Sequence, residues 1–276
     1  MPVNSNTFPD ISDHQRWQLQ LTAGHNGVRA NYFDVISPRA FVHTDQHWRC
    51  DPVDALRKIE DTIYDNPDIV DDYTTCILVR PVQMVFLPAD SLPPDADEEA
   101  RELADLVDAC ENKDVWSEEL LPGIRAVYTT PGGVRDFLTR TFPTEDVQLA
   151  LRPMARHVAA WGADGAEKVW VHLDADTLDI IAMAGGKPVI INTREYHGAA
   201  DAAYYVVSVV RTLGLSASRA EVRLSGEESV RRELLPMLRR HLGFVSNALL
   251  PAPVKQALSA GLSLSEALLT HKKKSQ

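Results

Sequence analysis

A chain of 276 residues, 45% apolar and 24% charged, has the composition of an ordinary globular protein and is long enough for two compact units. It has no apolar run near the ~18 residues of a membrane span, and a net charge of −11 with no basic face argues against general nucleic-acid binding. Its three cysteines, Cys50, Cys76 and Cys110, are odd in number and widely spaced, which suits a reducing cytoplasm and not a disulfide framework.

The polar stretch Met1–Asp13 lacks the basic-then-apolar order of a signal peptide, so a cytoplasmic protein is expected. Trp17–Leu21 alternates as a half-buried strand does. Gly24-His25-Asn26-Gly27 then predicts a hairpin turn whose glycines permit positive backbone angles. Val28–Phe33 and Ala40–Trp48 are further strands, and Asp51-Pro52 starts a helix with Ala55, Leu56, Ile59 and Ile63 on its apolar side. Thr74–Val79 and Val82–Leu87 are predicted strands broken at Arg80-Pro81. From Asp95 to Glu119 there are eleven acids against two bases. Leu103, Leu106, Val107 and Cys110 lie at helical spacing there and predict a solvated acidic helix, which could also dock a basic partner. Ile124–Thr129 is a strand, Pro131-Gly132-Gly133 a turn, and Val134–Thr141 a helix. Leu149–Trp161 is predicted helical and leads to a break at Gly162–Gly165.

The second half repeats the pattern of the first. Val169–Leu173, a turn at Asp174-Ala175-Asp176-Thr177, Leu178–Met183 and Pro188–Asn192 lead to a helix from about Gly198. On that helix Ala199, Ala203, Val206, Val210 and Leu213 form a stripe, Tyr204-Tyr205 is expected in the core, and Gly214 marks the end. Val222 and Leu224 lie in a short strand, and Ser225 with Glu228 fits a capping box for the next helix, which Pro236 should kink or divide. Pro251–Gln276 is predicted to be one short helix with a Lys272–Lys274 tail. Two β-β-β-α units imply two related lobes around a cleft: residues 1–161, residues 162–250, and a C-terminal helix and tail over 251–276.

This order of elements resembles the actin-like ATPase fold (a ribonuclease-H-like fold), shared by actin, the large heat-shock chaperones, sugar kinases and actin-like proteins of bacterial pilus and secretion machines. More narrowly it is similar to an uncharacterised bacterial domain family with that fold. The narrow resemblance spans about Gln15 to Leu250 and rests on the paired hairpins and on Ile77–Pro88, Ile124–Phe142 and Trp170–Tyr196. It implies an α/β, two-lobed molecule whose active relatives bind ATP and magnesium. In those relatives the first hairpin turn carries an Asp, then glycine and a hydroxyl. Here Gly24 is present but the acid is replaced by Thr22 or Ala23, and Thr22 offers no charge to offset Mg²⁺. The second turn keeps Asp174, Asp176 and Thr177 without a glycine, and the adenosine-contacting segment keeps Ser225 and a single Gly226.

The expected function is therefore a non-catalytic protein-binding or scaffold role, with no cofactor and with another protein or a second copy as partner. The alternative is a nucleotide-binding ATPase or phosphotransferase using ATP and Mg, with Gly24, Asp174, Asp176, Thr177, Ser225 and Gly226 around the nucleotide. The first reading turns on the missing charge: a carboxylate reaching Thr22 from elsewhere in the chain would remove its premise. His43, Asp45 and His47, placed on one strand face by period-two alternation, are a separate candidate for the start of a zinc or iron site. Thr130-Pro131-Gly132-Gly133 has a phosphate-loop position but no following Lys-Ser/Thr, with Arg135 and Arg140 nearby for an anion. Ser208, Ser225 and Ser229 lack a GxSxG setting, so acyl transfer has no foothold.

Overall fold

The computed structural model describes residues 9–36, 39–92, 97–143, 145–174 and 177–272. In chain order the first half contains β1 (Trp17–Gly24), β2 (Gly27–Asp34), β3 (Ala40–His47), α1 (Pro52–Tyr64), β4 (Thr74–Arg80), β5 (Met84–Pro88), α2 (Asp97–Val107), β6 (Lys113–Leu121), β7 (Ile124–Pro131), α3 (Val134–Thr141), β8 (Asp146–Leu149) and α4 (Arg152–Trp161). The second half contains β9 (Lys168–Leu173), β10 (Thr177–Ala184), β11 (Lys187–Glu195), α5 (Ala199–Thr212), β12 (Glu221–Gly226), α6 (Glu228–Leu238), β13 (Phe244–Asn247), α7 (Ala252–Ser259) and α8 (Leu264–Lys272).

Two five-stranded sheets have the same construction. The orders are β3-β2-β1-β4-β8 and β11-β10-β9-β12-β13, so each sheet starts as an antiparallel meander and finishes with two parallel strands. This equivalence is the duplicated unit seen in the sequence. A third, antiparallel sheet, β5-β7-β6, is inserted into the first half and carries α2 on Ala100 and Ala104.

Side-chain alternation decides what each face of the first sheet meets. Leu19, Leu21 and Ala23 of β1 join Val28, Ala30 and Tyr32 of β2, Ile59 and Ile63 of α1, and Tyr128 of β7 in one core. α1 starts as its sequence predicts, with Asp51 accepting a hydrogen bond from Val53 N at 3.1 Å and proline in the first turn. The opposite face of β1 carries Gln18, Gln20 and Thr22, and α7 and α8 roof it. Val254, Ala257, Leu264, Ala267 and Leu268 pack back into the same core. The expected single C-terminal helix is thus two helices, broken by a positive-φ Gly261, and residues 273–276 of the lysine tail lie outside the described residues. The core of the second half (Val169, Val171, Leu173, Leu178, Val206, Val210, Leu234) lies between its sheet and α5–α6. The other face of that sheet turns Trp170, Ile181 and Met183 towards the first half. There Trp170 meets Trp161 and His157 of α4 at ring distances of 5.8 and 5.3 Å, and α4 packs on α8.

Several local expectations change. Leu149 ends β8 instead of opening a helix, because Asp146–Leu149 adds a parallel strand beside β4. The acidic stretch is divided into α2 and β6, and α2 buries Ala100 and Ala104 while Leu106 is 81% exposed. Tyr204 is exposed, and only Tyr205 of that pair packs on the core. Gly24 and Gly27 have ordinary negative φ. Their role is close approach: a Cβ on Gly24 would stand 2.6 Å from the Arg80 Cβ, and one on Gly27 would stand 2.5 Å from the Gln46 carbonyl. The capping box at Ser225 is not formed, since Glu227 caps α6 through Ser229 N. α6 remains one helix, with Pro236 in its last turn.

Candidate functional site

The turns expected to cradle a nucleotide fall into two groups, one at the carboxyl end of each sheet's first strand. In the first group Gly24 closes β1, with Thr22 two residues earlier on the face roofed by α8. A carboxylate does reach Thr22. Glu266, on the first turn of α8, accepts from Thr22 Oγ1 at 2.7 Å and from Ser263 N at 2.7 Å, and pairs with Arg29 Nη1 at 3.1 Å. Ser263 Oγ accepts from Glu266 N at 3.3 Å, so Ser263 and Glu266 form a reciprocal capping box that aims the carboxylate into the sheet. The side chain is wholly buried. Burial opposes its charge, but Arg29, the Thr22 hydroxyl, the Ser263 amide and the nearby Arg80 outweigh it and hold the carboxyl below its ordinary range. Arg29 also pairs with Asp45 at 2.8 Å and donates to the Gly261 carbonyl at 2.9 Å. The premise that this position lacks negative charge is thus corrected. The charge is present, but Arg29, a cation it shares with Asp45, already pairs with it and protein donors already occupy it. Nothing in a single-sequence scan links Glu266 to Thr22, because 244 positions separate them and only the fold of α8 brings them together.

The second group lies at the ends of β9, β10 and β12. Asp174 is exposed. Its backbone N–H donates to the Thr177 carbonyl at 2.9 Å, and its own carbonyl accepts from Tyr196 Oη at 2.7 Å. Thr177 begins β10, while Asp176, together with Ala175, lies outside the described residues. Ser225 is buried and committed to the sheet, donating to the Val171 carbonyl at 3.3 Å and lying 3.0 Å from His172 Nδ1. Gly226 has φ +91°, and a Cβ there would collide with the Leu173 carbonyl, which accepts from Glu227 N at 2.8 Å. The glycine serves strand approach. In this second group Ser225 and Gly226 are committed to strand packing, whereas Asp174 stands exposed at the end of β9.

Beside them, on the face of the second sheet turned towards α4, two titratable groups are strongly shifted. Burial pushes His172 down to about 4, against the pull of Asp174, so it is neutral at physiological pH. Burial raises Asp179 to about 6, although Thr193 Oγ1 donates to it at 2.5 Å. An acid whose folded value lies above its unfolded one contributes stability at low pH and loses it as pH rises through about 6. Asp179→Asn, which keeps the Thr193 bond, should therefore raise the melting temperature at pH 8 by several degrees, with the gain shrinking towards pH 4. A pH-independent difference between the two proteins would contradict this assignment.

The remaining candidates are separated by the fold. A bulge between Ala30 and Asn31 pairs Asn31 with Val42 and Ala30 with Thr44, leaving His43 out of register. His43 packs edge-on against Tyr32 at 5.4 Å, whereas Asp45 turns to Arg29 and to His47 Nε2 at 2.8 Å. The three do not share a face, and among the described residues no group of three or more such side chains could hold a metal. The start of α3 is filled by the protein's own Asp114, which accepts from Gly133 N at 3.2 Å and Arg135 N at 2.7 Å, while the Arg135 guanidinium stacks 4.6 Å over Trp116.

Residues 9–245 match the model of the family described as protein of unknown function DUF3822. The chain belongs to that family. None of the curated proteins matches it. Among solved structures, this DUF3822 chain is similar to a Bacteroides thetaiotaomicron protein with an actin-like ATPase fold and unknown function. The TM-score is 0.75 at 15% identity, covering 96% of this chain and 99% of that one. It is also similar to the PilM–PilN type IV pilus biogenesis complex, with a TM-score of 0.54 at 10% identity over 91% of this chain and 97% of that one. The DUF3822 chain therefore has the two-lobed actin-like fold expected from its paired hairpins.

Proposed function

We propose that this protein is a non-catalytic, protein-binding scaffold on an actin-like frame. The observation that carries this reading is the state of Glu266: buried, paired with Arg29, and saturated by Thr22 and Ser263 where an active relative would hold a metal-bound water. The commitment of Ser225 and Gly226 to strand packing supports it. A protein partner is favoured by two features. One neighbour of similar fold is described as a complex of two pilus-biogenesis proteins. In addition, α2 presents Glu98, Glu99, Glu102 and Asp105 to solvent around an 81%-exposed Leu106, a surface that suits a basic, amphipathic partner.

Thermal unfolding with and without millimolar Mg-ATP tests the proposal. No change in melting temperature is expected. A nucleotide at one hundred times its dissociation constant would add about 2.7 kcal/mol, which is easily measured. A shift that Asp174→Ala abolishes would establish the ATPase or phosphotransferase reading in its place.

A further inference from the structure

Between the polar face of β1 and the roof formed by α7 and α8 there is a cavity of about 580 Å³, within the range of small-molecule sites. Its walls include Phe33, Phe41, Ala257 and Leu269, and its floor includes Gln20 and Cys76. Gln20 is 2% exposed, yet neither its Nε2 nor its Oε1 has a hydrogen-bond partner among the described residues. Asn31, directly opposite Gln20 in the β1–β2 register and fully buried, has both amide atoms unpartnered as well. Cys76 sits beside Gln20 on β4, and Gln148 donates to its sulfur at 3.2 Å. Of these buried amides Gln20 lines the cavity, and its hydrogen-bonding capacity is unspent there. Buried polar groups in native proteins are almost always paired, so the Gln20 amide calls for a partner that the described residues do not supply.

We propose that this cavity binds a small uncharged molecule with an amide-type head group and an apolar body. A carboxamide, lactam or urea presents a donor and an acceptor side by side and so satisfies both atoms of a Gln or Asn amide. A carboxylate would satisfy the N–H groups and oppose the oxygens. At the cavity's mouth Asp34 is already paired with Arg16 at 2.7 Å, and Arg39 is exposed, where solvent screens its attraction for an anion. The apolar walls account for the body of the ligand. Occupation would also brace α7 and α8 against the sheet, the same contact that Glu266 makes through Thr22 and Arg29.

The probe is octanamide, titrated calorimetrically into the full chain beside methyl heptanoate, which has a similar length and apolar body but no N–H donor. Octanamide is expected to bind about tenfold tighter than the ester. Gln20→Leu, which removes the amide at nearly constant volume, should erase that preference. Ala257→Leu, which narrows the cavity from the roof, should weaken both probes. Equal affinity for the two probes, absence of octanamide binding, or a preference that survives Gln20→Leu overturns the assignment. If Gln20→Leu does not fold, Ala257→Leu decides: unchanged octanamide binding in that variant overturns it equally.

Discussion

Glu266→Ala should remove about 3–5 kcal/mol of unfolding free energy, among the largest losses for any single replacement in this chain. The reason is what remains behind. Arg29, only 12% exposed, keeps Asp45 and the Gly261 carbonyl but loses its buried counter-ion, and the Thr22 hydroxyl and Ser263 amide lose their acceptor. Urea unfolding with an unchanged denaturant slope is the measurement. A loss below about 1 kcal/mol would mean that Asp45 alone compensates Arg29 and that the cluster does not hold α8 in place. Glu266→Gln keeps an acceptor oxygen for the Ser263 amide, and its NH2 can donate to the Thr22 hydroxyl oxygen, so it should lose less. The pair also has a pH signature. The folded pKa of Glu266 lies below its ordinary 4.5, so its ionic contribution is complete above that value and is lost as pH falls through the folded value. The stability gap between the wild type and Glu266→Gln should therefore narrow on acidification below about pH 4.5.

Gly226→Ala should be comparably damaging, roughly 3 kcal/mol or more. Two costs combine there. The residue holds φ +91°, which an L side chain rarely adopts, and its Cβ would collide with the Leu173 carbonyl, a backbone atom that cannot rotate away. The prediction separates two roles for the same glycine. If it served nucleotide approach, alanine would leave stability nearly intact and alter ligand binding. If it serves the β9–β12 junction, the melting temperature falls with no ligand present. A Gly226→Ala protein as stable as the wild type would return this residue to the nucleotide-contact reading.

Much of the architecture was legible from residue order because it is written in local patterns. The β1–β2 and β9–β10 hairpins, the Asp51-Pro52 helix start, the Ile59–Ile63 stripe and the Gly214 helix end depend on neighbours within a few positions, and all appear as expected. The misses share a cause. β8 is four residues long, too short for a period to register. β6 lies in a stretch whose acids suggested a solvated helix, and its Trp116 is buried in the folded chain, stacked on Tyr128 of β7 with Arg135 over its ring. The His43–Asp45–His47 face was dissolved by one extra residue in β3, since a bulge shifts every side chain on one side of it.

Sequence alone determined that two β-β-β-α units lie in tandem and that β1 runs into its turn through Thr22 and Ala23 with no acid, because both are statements about adjacent residues. Tertiary structure alone decided the electrostatics of that turn. α8 folds back across 244 positions to bring Glu266 to Thr22, and Arg29 on the neighbouring strand pairs with it. Tertiary structure also decided that Gln20 and Asn31, unremarkable polar residues in a strand pattern, become buried amides, Gln20 at the floor of a cavity. Charge balance and solvent exclusion belong to sets of atoms that meet only in the folded chain, so linear order does not contain them.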